Sequence, residues 1–230
     1  MLFIFFATIV CYNFVKYGVE AKKYLMVSKP SHRPIQLFSF LAFAACIHFF
    51  LQLPHLLWWA IGVLTIISLL YAVPLLPSSR NLRSLGGLKI VVVAAVWVGF
   101  VVMLPALDNQ LGLSRQVALL SLQNFILVLI LILPFEIRDL PYDTPQLRTI
   151  PQRFGFKRTK MIGFCLILAY LFIGCLRTCF SLSLVLPDLF LSLVLLLMLE
   201  RTKQQQSTYF ASFWVEGIPI LWCLFVRSTF

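Results

Sequence analysis

Apolar runs broken by short basic segments constrain this chain more than any other feature. The runs cover Leu2–Tyr17, Ile35–Leu53, Leu56–Leu76, Leu88–Leu107, Val117–Leu133, Met161–Phe180, Pro187–Leu199 and Phe210–Val226. Each approaches the ~20 residues that cross a hydrocarbon core. Within lipid a backbone must satisfy its own hydrogen bonds, and the runs lack the alternation of a barrel strand, so each is expected to be a helix. The expected fold class is therefore all-α, a polytopic transmembrane helical bundle of about eight spans. With no long linker or low-complexity tract, residues 1–230 read as a single domain. Composition agrees: 61% of residues are hydrophobic and 12% charged, whereas soluble domains carry about 25% charged residues.

The formal net charge of +11 would point to nucleic acid in a soluble protein. Here the charges lie between apolar runs and no nucleic-acid motif accompanies them, so topology explains them better. With alternating sides, all lysines and arginines except Arg115, Arg177 and Arg227 fall on the side that follows the first run. That side is expected to be cytoplasmic, in an integral protein of a bacterial inner (plasma) membrane, with Met1 on the far side. Met1–Tyr17 has no basic leader and no small-residue cleavage site, and reads as a span rather than a signal peptide. The six cysteines lie in or beside apolar runs without a CxxC pair, which fits small buried apolar residues.

Polar chemistry concentrates in Gly18–Pro34, Pro77–Gly87 and Pro134–Lys160. The richest stretch is Pro134-Phe-Glu-Ile-Arg-Asp-Leu-Pro-Tyr-Asp143. Glu136, Asp139 and Asp143 are spaced i, i+3, i+7 and would share one face of a continuous helix. Three such carboxylates repel unless a cation neutralises them, and their hard oxygens suit Mg²⁺ shared with a substrate phosphate. Pro141 disfavours helix at Leu140 and can break that face. Interfacial ion pairs, with Arg138 among the partners, are the alternative reading of the same residues.

Asp139-x-x-x-Asp143 followed by Thr149-Ile-Pro-x-x-Phe-Gly155 resembles the second aspartate-rich motif of the UbiA-type prenyltransferase superfamily. Tyr71 and Arg80-Asn-Leu-Arg-Ser-Leu-Gly-Gly87 resemble that family's tyrosine-and-basic segment. The resemblance implies transmembrane helices around a cavity, nine in the family. It also implies Mg²⁺ held by Asp139 and Asp143, with Glu136 as a further ligand, on a prenyl diphosphate whose isoprenoid passes to a lipophilic acceptor, aromatic ones included. Asn13, Lys16, Tyr71, Arg80, Arg83 and Arg138 would be the substrate-side contacts, and no nucleic acid is implied.

The departures from the family are specific. Its first motif, N-D-x-x-D, corresponds to Tyr12-Asn-Phe-Val-Lys-Tyr17, where Asn13 is kept but Phe14 and Tyr17 stand at the aspartate positions. The lysine of its Tyr-x-x-x-Lys pattern is absent from Ala72–Leu76. Eight runs stand against the family's nine helices; if the first run here corresponds to the family's second, a leading helix is absent, through a start placed late or a truncation. A protein that kept the fold and lost the first motif could instead bind lipid or a partner without catalysis. Glu216, in the last run beside Gly217 and Pro219, is a further candidate, because an ionisable group inside a span is costly.

Overall fold

The computed structural model describes residues 2–14, 33–72, 87–143, 145–179, 181–207 and 209–229. Among the described residues the chain is helical, without strands. The helices are α1 (Leu2–Asn13), α2 (Arg33–Leu51), α3 (His55–Ala72), α4 (Leu88–Val98), α5 (Leu104–Asp108), α6 (Arg115–Asp139), α7 (Ile150–Arg177), α8 (Leu182–Arg201) and α9 (Glu216–Thr229). A π-helical segment, Gly99–Met103, joins α4 to α5, and another, Phe210–Val215, leads into α9. Five of these stretches are long and apolar enough to cross a membrane: α2, Leu88–Asp108, α6, α7 and Phe210–Arg227.

The helices gather into two compact units. The first holds α1, α2, α3 and Gly99–Gln110; the second holds α4 and everything from α6 onward. In the first unit, Phe3 of α1 packs with Leu57 and Ile61 of α3 and with Leu104. Phe6 stacks on Phe49 at 5.7 Å, and Phe50 stacks on Trp58 at 5.0 Å. Offset aromatic pairs of this kind add to burial alone.

In the second unit, α8 contributes Leu191, Leu195 and Leu199, one turn apart along a single seam. They meet Ile126 and Ile130 of α6 and Ile167 and Tyr170 of α7. Leu189, Leu193 and Leu197 on the other side of α8 are exposed. A helix apolar on both its packed and its outer face is stable in lipid rather than in water. Small residues set the helix spacing: a Cβ on Gly163 would lie 2.6 Å from Leu199 and 3.0 Å from Leu133.

A buried polar network ties the same three helices together. Asp188 of α8 accepts from Tyr170 Oη at 3.1 Å, Gln123 Nε2 at 2.9 Å and Arg177 Nη2 at 3.1 Å. Arg177 Nε also donates to Gln123 Oε1 at 2.9 Å. Gly174 makes room for it, since a Cβ there would meet Asp188 Oδ2 at 2.5 Å and Gln123 Nε2 at 2.7 Å. The network connects α6, α7 and α8 through one carboxylate.

Two helix limits depart from the sequence reading. α6 does not stop at Leu133 but runs through Pro134 to Asp139, carrying Glu136 and Arg138 with it. α7 starts at Ile150, well before Met161. The hydropathy of both ends is low, so apolar patterning hides helix that local capping supplies. Thr149 takes the extended N-cap conformation, Pro151 sits in the first turn, and the Thr149 N–H donates to Gln152 Oε1 at 3.0 Å.

Candidate functional site: a carboxylate–lysine cluster

The acidic motif sits where α6 ends. Leu140 precedes Pro141, which disfavours further helix, yet the chain makes one more turn: the Asp143 N–H donates to the Asp139 carbonyl at 2.9 Å. Gln152 Nε2 donates to the Asp143 carbonyl at 3.3 Å while Gln152 Oε1 receives the Thr149 N–H. The Thr-Ile-Pro-Gln start of α7 thus fixes the backbone that carries Asp143.

The side chains of the motif divide. Glu136 and Asp143 converge on Lys89, whose Nζ lies 2.6 Å from Glu136 Oε1 and 3.9 Å from Asp143 Oδ2. The first distance is a charge-assisted hydrogen bond; the second is an ion pair too long for one. Exposure of these side chains is 16% for Lys89, 5% for Glu136 and 17% for Asp143. Asp139 instead turns to its neighbour, accepting from Arg138 Nε at 2.7 Å and Nη2 at 3.3 Å, and is 41% exposed. The three carboxylates thus take different partners, Lys89 for Glu136 and Asp143 and Arg138 for Asp139.

Helix dipoles make the Lys89–Glu136 pair unusual. Lys89 is in the first turn of α4, where the dipole disfavours a cation, and Glu136 is in the last turn of α6, where it disfavours an anion. Each supplies the opposite charge that the other needs. The pairing is incomplete: Glu136 Oε2 and Asp143 Oδ2 are buried and accept no hydrogen bond. Lone acceptors of this kind carry the desolvation cost of an unmade bond.

Carboxylate oxygens that accept no hydrogen bond are hard donors of the kind a small divalent cation takes, using one or two carboxylates and completing its shell with water and phosphate oxygens. Glu136 and Asp143 are the residues that would hold it. Among the described residues no three His, Cys, Asp or Glu side chains group as a metal cluster.

The other expected contacts are distributed as follows. Arg138 is beside the cluster, bound to Asp139, with its guanidinium 5.3 Å from the centre of the Phe135 ring. Glu216 is the first residue of α9, follows the π-helical segment, and is near enough for its charge to act on Arg138. Asn13 and Tyr71 belong to the first unit. Asn13 Nδ2 donates to Ser39 Oγ at 2.8 Å, and Tyr71 lies in the last turn of α3. Lys16, Arg80 and Arg83 lie outside the described residues.

Sequence reasoning missed Lys89, Gln152 and the Asp188 network. A lone lysine just inside an apolar run should prompt a search for its counter-charge, and Asp188 with Arg177 deserves the same question. Gln152 was readable as the fourth residue of a Thr-x-x-Gln capping box. In comparisons with known proteins, no family model, curated protein or solved structure matches the chain.

Proposed function

We propose that the protein is a membrane-embedded prenyltransferase homologue that binds a prenyl diphosphate at the Glu136–Asp143–Lys89 cluster and passes its isoprenoid to a lipophilic acceptor, with aromatic acceptors the first class to try. One observation carries the reading: two buried carboxylate oxygens that accept no hydrogen bond, beside a lysine, inside the stretch that resembles a diphosphate-binding motif. Mg²⁺ held there would neutralise the diphosphate and stabilise it as it leaves. Asp139 joins this set if Arg138 turns to the diphosphate.

The reading includes a topology of about eight spans. The five long apolar helical stretches account for part of it. The apolar helices α1 and α3, and α8 with 20 residues, would complete it. The motif then lies on the cytoplasmic side of a bacterial inner membrane, where the basic residues accumulate.

Lys89 also favours a second reading. It already supplies a cation to both carboxylates, as a non-catalytic relative that binds lipid or a partner would need. Thermal shift of the detergent-purified protein with geranylgeranyl diphosphate separates the two. Catalytic ancestry requires stabilisation that needs Mg²⁺ and disappears in Glu136→Gln or Asp143→Asn. Equal response of parent and variants, or none, makes the non-catalytic reading the better one.

A further inference from the structure

We infer that the outer stripe of α7 binds one anionic phospholipid, its phosphate at Lys157 and Arg158 and an acyl chain along Met161, Cys165, Leu168 and Phe172.

Helical spacing makes the stripe. Steps of three and four residues carry Lys157, Met161, Cys165, Leu168 and Phe172 down one side of the helix. All five are exposed, Met161 at 63%, Leu168 at 67% and Phe172 at 61%. The opposite side, with Thr159, Gly163, Ile167 and Tyr170, is buried, and Ile167 and Tyr170 pack against α6 and α8. Because α7 is long and apolar enough to cross a membrane, its bare apolar side is suited to lipid.

One end of the stripe is cationic and the rest is apolar. Arg158, next to Lys157, is exposed as well. Among the described residues no carboxylate pairs with either side chain. Lys160, in the same basic run, differs: its Nζ donates to the carbonyls of Glu200 at 2.8 Å and Thr202 at 3.3 Å, at the end of α8. At about 1.5 Å per residue, Met161 to Phe172 spans about 16 Å, close to half of a ~30 Å hydrocarbon core. An acyl chain lying on that length brings its headgroup to the level of Lys157 and Arg158, whose stems can follow apolar surface to meet it. A zwitterionic headgroup balances its own phosphate. An anionic headgroup keeps a net charge, which these two cations match.

Bimane on Cys165 reports which lipid lies on the stripe. The full chain, with its other cysteines replaced by alanine, is reconstituted in phosphatidylcholine that contains either brominated phosphatidylglycerol or brominated phosphatidylcholine. Bromine on the acyl chain quenches the label on contact. Phosphatidylglycerol is expected to occupy the stripe at least about fivefold more strongly than phosphatidylcholine, as one basic residue at a membrane surface can supply. Lys157→Gln with Arg158→Gln should bring that ratio close to one. Arg33→Gln with Arg115→Gln removes as much charge from exposed positions at the starts of α2 and α6, and should leave the ratio unchanged.

Equal quenching by the two lipids in the parent overturns the inference. So does a preference that survives in the Lys157 and Arg158 variant, or one that the control variant loses equally. Quenching by neither lipid means that protein, such as a second copy of the chain, covers the stripe, and overturns it too. Native mass spectrometry of the unlabelled parent decides if the single-cysteine chain folds poorly. Retention of phosphatidylglycerol over phosphatidylcholine, reduced in Lys157→Gln with Arg158→Gln, is the expected result, and equal retention of the two lipids by the parent overturns the inference.

Discussion

Replacing Asp188 by alanine removes the acceptor on which three donors from two other helices converge. Interhelical hydrogen bonds in membrane proteins average about 0.6 kcal/mol and reach about 1.7 kcal/mol. Losing those from Tyr170, Gln123 and Arg177 therefore costs about 2 kcal/mol. Stranding a fully buried guanidinium would cost about 3–5 kcal/mol. The Arg177 side chain is 28% exposed while Asp188 is 2% exposed, so surrounding water or headgroups recover part of that second cost. The net expectation is about 2–4 kcal/mol for Asp188→Ala. Tyr170→Phe, which removes one neutral donor, should cost about 1 kcal/mol. Pairing Asp188→Leu with Arg177→Met removes both charges and should cost less than the sum of the two singles by about 1–3 kcal/mol. Reversible SDS unfolding in bicelles, read by tryptophan fluorescence, gives these differences. The reasoning is refuted if Asp188→Ala costs no more than Tyr170→Phe, or if the double variant is simply additive.

Other perturbations probe the motif and the topology. Gly155 has φ 77° and ψ 166°, a region that side chains disfavour, and a Cβ there would meet open space. Gly155→Ala should therefore lower stability by about 1–3 kcal/mol through backbone strain alone, and Gly155→Leu by a similar amount in the same unfolding assay. Gln152→Ala removes the bonds to the Asp143 carbonyl and the Thr149 N–H, and should cost about 1–2 kcal/mol. It should also weaken Mg²⁺-dependent diphosphate binding, because Asp143 loses a support. In a cysteine-free background, Gly112→Cys is expected to react with an impermeant maleimide from outside intact cells. Tyr142→Cys should react only after the membrane is opened, and the reverse pattern would invert the topology.

The helices were readable because lipid as solvent leaves few alternatives for apolar runs such as those of α2, α4 and α7. Their limits were harder. Lys157, Arg158 and Lys160 lower the hydropathy at the start of α7, so the apolar signal begins near Met161, while the capping signal at Thr149–Gln152 marks the actual entry. Glu136 and Arg138 do the same at the end of α6, where Pro134 also resembles a stop. The motif itself was legible, but its geometry was not. Spacing grouped Glu136, Asp139 and Asp143, but not their partners, Lys89 for Glu136 and Asp143 and Arg138 for Asp139. Lys89 is far from Glu136 in the chain, and only the packing of α4 on α6 brings the two charges into contact. Asp188 and Arg177 escaped for the same reason, because their pairing depends on how α7 and α8 dock.

The central claim is that Glu136 and Asp143 hold a cation on which a prenyl diphosphate binds. Titration calorimetry of geranylgeranyl diphosphate into the full chain in nanodiscs, with and without Mg²⁺, tests it most directly. Saturable binding that requires Mg²⁺ in the parent, and is lost in both Glu136→Gln and Asp143→Asn, is the expected result. Binding that is absent, independent of Mg²⁺, or unchanged in both variants would contradict it and leave the cluster as an internal ion pair.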